Sequence, residues 1–140
     1  MPLRLYSAWY CPFAQRAWMT LLYKQIAFEY VEVDPYRKSS WWLAISRNRA
    51  TVPVIVTSAE PDRASITVVD STRVVEYLDE RTPNFRPLFA NDPDDKADQR
   101  FWVDHINEHI VPYLYRYLGA AQTAEAREDA RKALLDGLEV

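Results

Sequence analysis

The stretch LRLYSAWYCPFAQRAWMTLLYK, residues 3–24, changes its hydrophobic period at the centre, and that change decides the fold. LRLYS alternates and carries β-forming residues, which predicts a first strand. Pro12 then suits a first helical position, and Phe13, Ala17 and Leu21 recur at four-residue spacing with Leu22 beside them, which predicts one apolar helix face running to about Lys24. The strand passes into the helix through Cys11, the chain's only cysteine, which is thereby predicted to be the N-cap.

Outward from this unit, FEYVEV (28–33) alternates as a second strand, DPYRKSS (34–40) is a polar turn, and WWLAI (41–45) is a short helical candidate. TVPVIV (51–56) reads as a strand entered through proline, and SITVV (65–69) pairs back against it across the loop TSAEPDRA to make a hairpin. DSTRVVEYLDE (70–80) opens on capping residues and carries Val74, Val75 and Leu78 at helical spacing. A βαβαββα unit is therefore expected over residues 1–81. TPNFRPLFANDP (82–93), with three prolines and little periodicity, is expected to be a linker.

Residues 94–140 are expected to form two helices. Asp92 caps the first, Pro93 starts it, Asp94 and Asp95 complement its dipole, and Trp102, Ile106, Ile110, Leu114 and Leu118 share one row, with Gly119 as the stop. The second helix, within 123–139, aligns Ala130, Leu134 and Leu138. Two amphipathic helices bury little by themselves, so this region resembles the opening of a larger all-α bundle.

Composition narrows the functional classes. The 140 residues are 49% hydrophobic, enough for a real core, and 26% charged with a net charge of -3, so nucleic acid and polybasic membrane binding are not expected. No segment approaches the roughly 20 apolar residues of a membrane span. One cysteine forms neither an intramolecular disulfide nor a zinc cluster, and MPLRLYSAW lacks the apolar run of a signal peptide, so the expected compartment is the reducing cytoplasm.

Cys11 admits two readings, a small buried apolar residue or a reactive thiol. A helix start favours thiolate through the macrodipole and free N–H groups, and Pro12 fixes that start. Ala14 stands where a redox dithiol needs its second cysteine, so only one-thiol chemistry remains: a mixed disulfide resolved by a soluble thiol. HINEH (105–109) matches the H-x-x-E-H pattern of zinc peptidases, but the pattern is short, a third ligand would have to come from the short stretch after Pro112, and Phe101, His105 and His109 flank the apolar stripe as a half-buried face. No metal is expected. SSWWLAI (39–45) reads as packing.

CPFAQR after LYS, then TVPV, then DSTRVVEYLDE, in this order and spacing, resemble the omega class of cytosolic glutathione transferases over effectively the whole chain, including the proline in the long helix, here Pro112. The resemblance implies a thioredoxin-like α/β domain at 1–81 followed by the first helices of an all-α domain. It implies glutathione as co-substrate and Cys11 as the catalytic thiol. Val52, before a Pro53 that is cis in the family, would pair its backbone with the cysteinyl part of glutathione as an added strand does. Asp70 and Ser71 would take the γ-glutamyl end, where the family usually has a longer acid or amide than Asp70. Phe13 would lie beside the thiol. Lys38 is the candidate for the glycine carboxylate, although counting back from Val52-Pro53 puts Ser39 at the family's lysine position. SRNRATVP (46–53) lacks the family's asparagine-proline and glycine. Other classes use a tyrosine or serine hydroxyl near the first strand, but with Cys11 present Tyr6, Ser7 and Tyr10 are read as structural. The implied activity is a glutathione-dependent thiol transferase or reductase acting on dehydroascorbate, protein mixed disulfides or a small electrophile; the apolar faces of the two amphipathic helices are expected to drive a homodimer or self-association. The alternative is a non-enzymatic interaction module.

Overall fold

The computed structural model describes residues 3–57, 64–120 and 123–139. The chain forms two compact units, Met1–Phe89 and Ala90–Val140.

The first unit is built on a four-stranded mixed sheet of order β2-β1-β3-β4. β1 (Leu3–Ser7) runs parallel to β2 (Phe28–Glu32), with Leu3 opposite Phe28 and Ser7 opposite Glu32, so the chain needs a crossover, which α1 (Pro12–Tyr23) supplies. β3 (Val54–Val56) lies antiparallel on the other side of β1, and β4 (Thr67–Val69) closes the hairpin. β3 starts only after Pro53, which has no N–H to give a ladder. The hairpin loop at 58–63 lies outside the described residues.

Alternation along β1 sorts the core into two layers. Leu5 and Ile55 face Ala17 and Leu21 of α1 and Val74 and Leu78 of α3 (Ser71–Arg81). Tyr6 and Val54 face the other way, against Trp42 of α2 (Ser40–Ile45). Helices thus cover both faces of the sheet in a thioredoxin-like βαβαββα arrangement. Leu22, expected on the buried face of α1, is 59% exposed, as are Met19 and Tyr23 in comparable measure. The small side chains of Ala14 and Ala17 bring the helix close to the sheet, and a stripe that narrow leaves no room for the neighbouring row.

Residues 82–89, expected as a linker, are fastened to the first unit. Lys24 Nζ donates to the carbonyls of Thr82 (3.2 Å) and Phe85 (3.1 Å) and pairs with Asp79 at 2.7 Å. Asp79 accepts the N–H groups of Leu88 and Phe89.

In the second unit Asp92 caps α4 (Pro93–His105), accepting from the N–H groups of Asp94 and Asp95. A π-helical turn, Ile106–Ile110, follows, then α5 (Val111–Tyr115) and a second π turn, Arg116–Ala120, so Gly119 lies within the helix and does not stop it. The Val111 N–H reaches back five residues to Ile106, a widening that fits the approach to Pro112, which has no N–H and whose ring crowds the carbonyl four residues back. Of the expected row, Trp102, Ile106 and Leu118 are exposed, and Val111 is buried instead. α6 (Ala124–Leu138), capped by Thr123, buries Ala130, while Leu138 is exposed. Its Gly137 approaches the other helix so closely that a Cβ there would lie 2.8 Å from the His109 carbonyl oxygen. Among the described residues, no helix is long and apolar enough to cross a membrane.

Candidate functional site

Cys11 sits where β1 hands over to α1. Its φ of -82° and ψ of 116° are extended, its N–H donates to the Ala8 carbonyl at 2.9 Å, and its own carbonyl accepts the Gln15 N–H at 3.0 Å. The side chain makes no capping hydrogen bond. Sγ is therefore not spent on the helix end. The residue is half-buried and packs on the cluster that holds Tyr6, Ala8, Ala14, Trp42 and Val52. The Val52–Pro53 peptide is cis, and Val52 belongs to the cluster on which Cys11 packs.

Asp70 and Ser71 open α3. Asp70 adopts φ 81° and its Oδ1 accepts the N–H groups of Thr72 (3.0 Å) and Arg73 (3.2 Å), while Ser71 is buried. Phe13 is half-buried, packs on neither core cluster, and carries the Arg16 guanidinium 5.1 Å from its ring centroid. Partial burial pushes the Arg16 pKa down, and the charges of Asp70 and Cys11 oppose that shift. Arg16 thus lies within electrostatic reach of both. The sequence reading missed this residue, although its i+3 spacing from Phe13 at a helix start was a usable signal.

Lys38 is exposed one residue before Ser39, whose Oγ accepts the Trp42 N–H and caps α2. Ser39 is committed to the helix, and Lys38 offers the ammonium. The following loop turns without glycine: Arg47, Asn48 and Ala50 take positive φ, and buried Ser46 donates to the Trp42 carbonyl and accepts the Ala50 N–H. That side chain supplies the local anchoring that accompanies a glycine-free turn here.

Of the rival hydroxyls, Tyr6 and Ser7 are buried and Tyr10 is exposed. Partial desolvation and then Asp34, Tyr36, Cys11 and Glu32 raise the Tyr10 pKa, so its phenol stays protonated at neutral pH. In HINEH, His105 Nε2 donates to the Gly137 carbonyl at 2.7 Å, and the two imidazoles stack with centroids 4.9 Å apart. No group of three or more His, Cys, Asp or Glu among the described residues is arranged to hold a metal ion.

The geometry has close parallels among known proteins. A family model described as "Glutathione S-transferase, N-terminal domain" matches residues 5–87. Glutathione S-transferase U10 of Arabidopsis thaliana is 29% identical over 130 residues, covering 91% of this chain and 53% of its own length. The crystal structure of glutathione transferase Omega 3C from Trametes versicolor is similar at a TM-score of 0.79 and 34% identity, covering 99% of this chain and 56% of that one. The Tau class glutathione S-transferase of mango, Mangifera indica, is similar at a TM-score of 0.82 and 28% identity, covering 98% and 59%. The chain spans about half the length of the curated relatives it matches.

Proposed function

The chain belongs to the glutathione S-transferase family, and from that premise we propose that it is a glutathione-dependent thiol transferase of omega type with Cys11 as its nucleophile. One observation carries the choice of residue: Cys11 is half-buried at the start of α1 with its side chain uncommitted, whereas the earlier hydroxyls of Tyr6 and Ser7 are buried.

The Cys11 thiolate attacks the glutathionyl sulfur of a mixed disulfide, forming a Cys11–glutathione disulfide and releasing the substrate thiolate, which takes a proton from solvent. A second glutathione thiolate then attacks the glutathionyl sulfur of that disulfide, forming oxidised glutathione and returning Cys11 as thiolate. The backbone of Val52 beside cis Pro53 suits the cysteinyl amide, and Phe13 walls the thiol. The Ser71 hydroxyl and N–H with the Asp70 carboxylate suit the two charges of the γ-glutamyl end. Lys38 suits the glycine carboxylate. Protein mixed disulfides, dehydroascorbate and small electrophiles are the substrate classes, in the cytoplasm. The exposed Phe101, Trp102 and Leu118 favour a homodimer or self-association, which light scattering tests. The same residues favour the second reading, a non-enzymatic interaction module.

Intact mass after incubation with oxidised glutathione separates the two. Addition of one glutathionyl group, reversed by reduced glutathione and absent in Cys11→Ser, is the expected result. An inert Cys11 in the folded chain defeats the transferase and leaves the module.

A further inference from the structure

Trp9 is exposed in the turn between β1 and Cys11, yet side chains from two different elements hold both of its backbone polar groups. Its N–H donates to Glu32 Oε1 (3.3 Å) at the end of β2, and its carbonyl accepts from Gln15 Nε2 (3.1 Å) in α1. Glu32 is itself fixed, because its Oε2 accepts the Tyr30 hydroxyl at 2.5 Å. The Gln15 N–H bonds the Cys11 carbonyl, so Gln15 brackets the cysteine from both sides. Water satisfies the polar groups of an exposed loop, and ordering two long side chains there costs rotamer entropy. Folding alone does not require that expense.

We propose that Glu32 and Gln15 are positioning residues that clamp the Trp9 backbone and so hold Cys11 in its reactive placement. The proposal rests on Cys11 being the nucleophile, and it deepens that reading by assigning the rigidity of the β1–α1 turn to two residues outside the glutathione contacts. The Glu32 carboxylate accepts from the Trp9 N–H and the Trp9 carbonyl accepts from the Gln15 amide N–H, so the clamp needs an acceptor oxygen at position 32 and a donor at position 15 more than it needs the charge of Glu32.

The test measures the Cys11 reaction with oxidised glutathione, and separately its alkylation by iodoacetamide, in the unmodified chain and in Gln15→Ala, Glu32→Ala and Glu32→Gln. Glu32→Ala and Gln15→Ala are expected to slow both reactions about 3- to 10-fold, the loss that one hydrogen bond accounts for, with Tm falling by no more than about 6 °C. Glu32→Gln is expected to retain the rate, because its amide oxygen still accepts from Trp9. The loss should appear in kcat, with KM for glutathione unchanged. Unchanged rates in both alanine variants overturn the clamp, as does a Glu32→Gln variant as slow as Glu32→Ala. If the alanine variants do not fold, amide exchange of Trp9 in the unmodified chain decides: protection supports the clamp, and exchange at the rate of an open loop overturns it. A Cys11 that alkylates but takes no glutathionyl group defeats the transferase reading, and the alkylation rates still judge the clamp.

Discussion

Replacing Lys24 with methionine should cost the first unit a large part of its stability. The Lys24 side chain is fully buried, the Asp79 side chain is 10% exposed, and their charged atoms are 2.7 Å apart. The substitution keeps the aliphatic stem and removes the ammonium, which leaves the Asp79 carboxylate without its cation and the carbonyls of Thr82 and Phe85 without their donor. Removing one partner of a buried pair costs about 3–5 kcal/mol, because the other charge stays desolvated. At about 4 °C per kcal/mol for a unit of this size, Tm should fall by roughly 12–20 °C. Thermal and urea unfolding followed by circular dichroism give both quantities.

The pH dependence supplies a second reading of the same pair. Burial opposes ionisation of Asp79, but the bonds from Lys24 and from the Leu88 and Phe89 N–H groups, together with the Lys24 charge, outweigh it and hold the Asp79 pKa below its ordinary 3.8. A depressed carboxylate pKa contributes stability that is present above about pH 4 and is lost as pH falls through the folded value. As pH falls through the folded Asp79 value the unmodified chain loses this contribution, whereas Lys24→Met has no such contribution to lose, so the stability gap between them should narrow in acid. A loss under about 1 kcal/mol at pH 7, or a gap that widens in acid, would refute the assignment of this pair as the fastening of α1 and α3 to residues 82–89.

Asp70→Ala removes the cap of α3 and places a β-carbon residue at φ 81° without the local hydrogen bonds, so it should lower stability by about 0.5–2 kcal/mol, while Asp70→Asn keeps the acceptor and stays close to the unmodified value in urea melts. Calorimetry should find glutathione affinity weakened by about 1–3 kcal/mol in each of Asp70→Ala and Ser71→Ala, and unchanged affinity in both would move the γ-glutamyl site elsewhere. The two glycines should respond in opposite directions. Gly119→Ala meets nothing within 4 Å and should gain up to about 1 kcal/mol of helix propensity, whereas Gly137→Ala should lower Tm, because its Cβ would stand 2.8 Å from the His109 carbonyl oxygen and 3.1 Å from Ile110 Cδ1. Equimolar zinc should leave Tm unchanged, since His105 Nε2 is held by the Gly137 carbonyl; a zinc-dependent rise that His105→Ala abolishes would reverse this.

The sequence by itself determined the elements whose signal lies within one turn or one alternation. Period two in LRLYS and FEYVEV, period near four from Phe13 to Leu21, and the caps at Asp70 and Asp92 each involve residues a few positions apart, and all of them appear in the structure at nearly the expected bounds. The same local logic put Cys11 at the N-cap of α1, because Pro12 can open a helix and cannot continue a strand. Tertiary structure alone decided what depends on partners distant in the chain. Leu22 is apolar and helical, but the sheet covers only the stripe next to it. Lys24 looks like an ordinary solvated helix terminus until Asp79, Thr82 and Phe85 arrive from 55 or more residues away. Glu32 reaches Trp9 only because β2 lies parallel to β1 in a register that sets Ser7 opposite Glu32. Periodicity reports which way a side chain points along its own element; the group it meets there is set by how the elements pack.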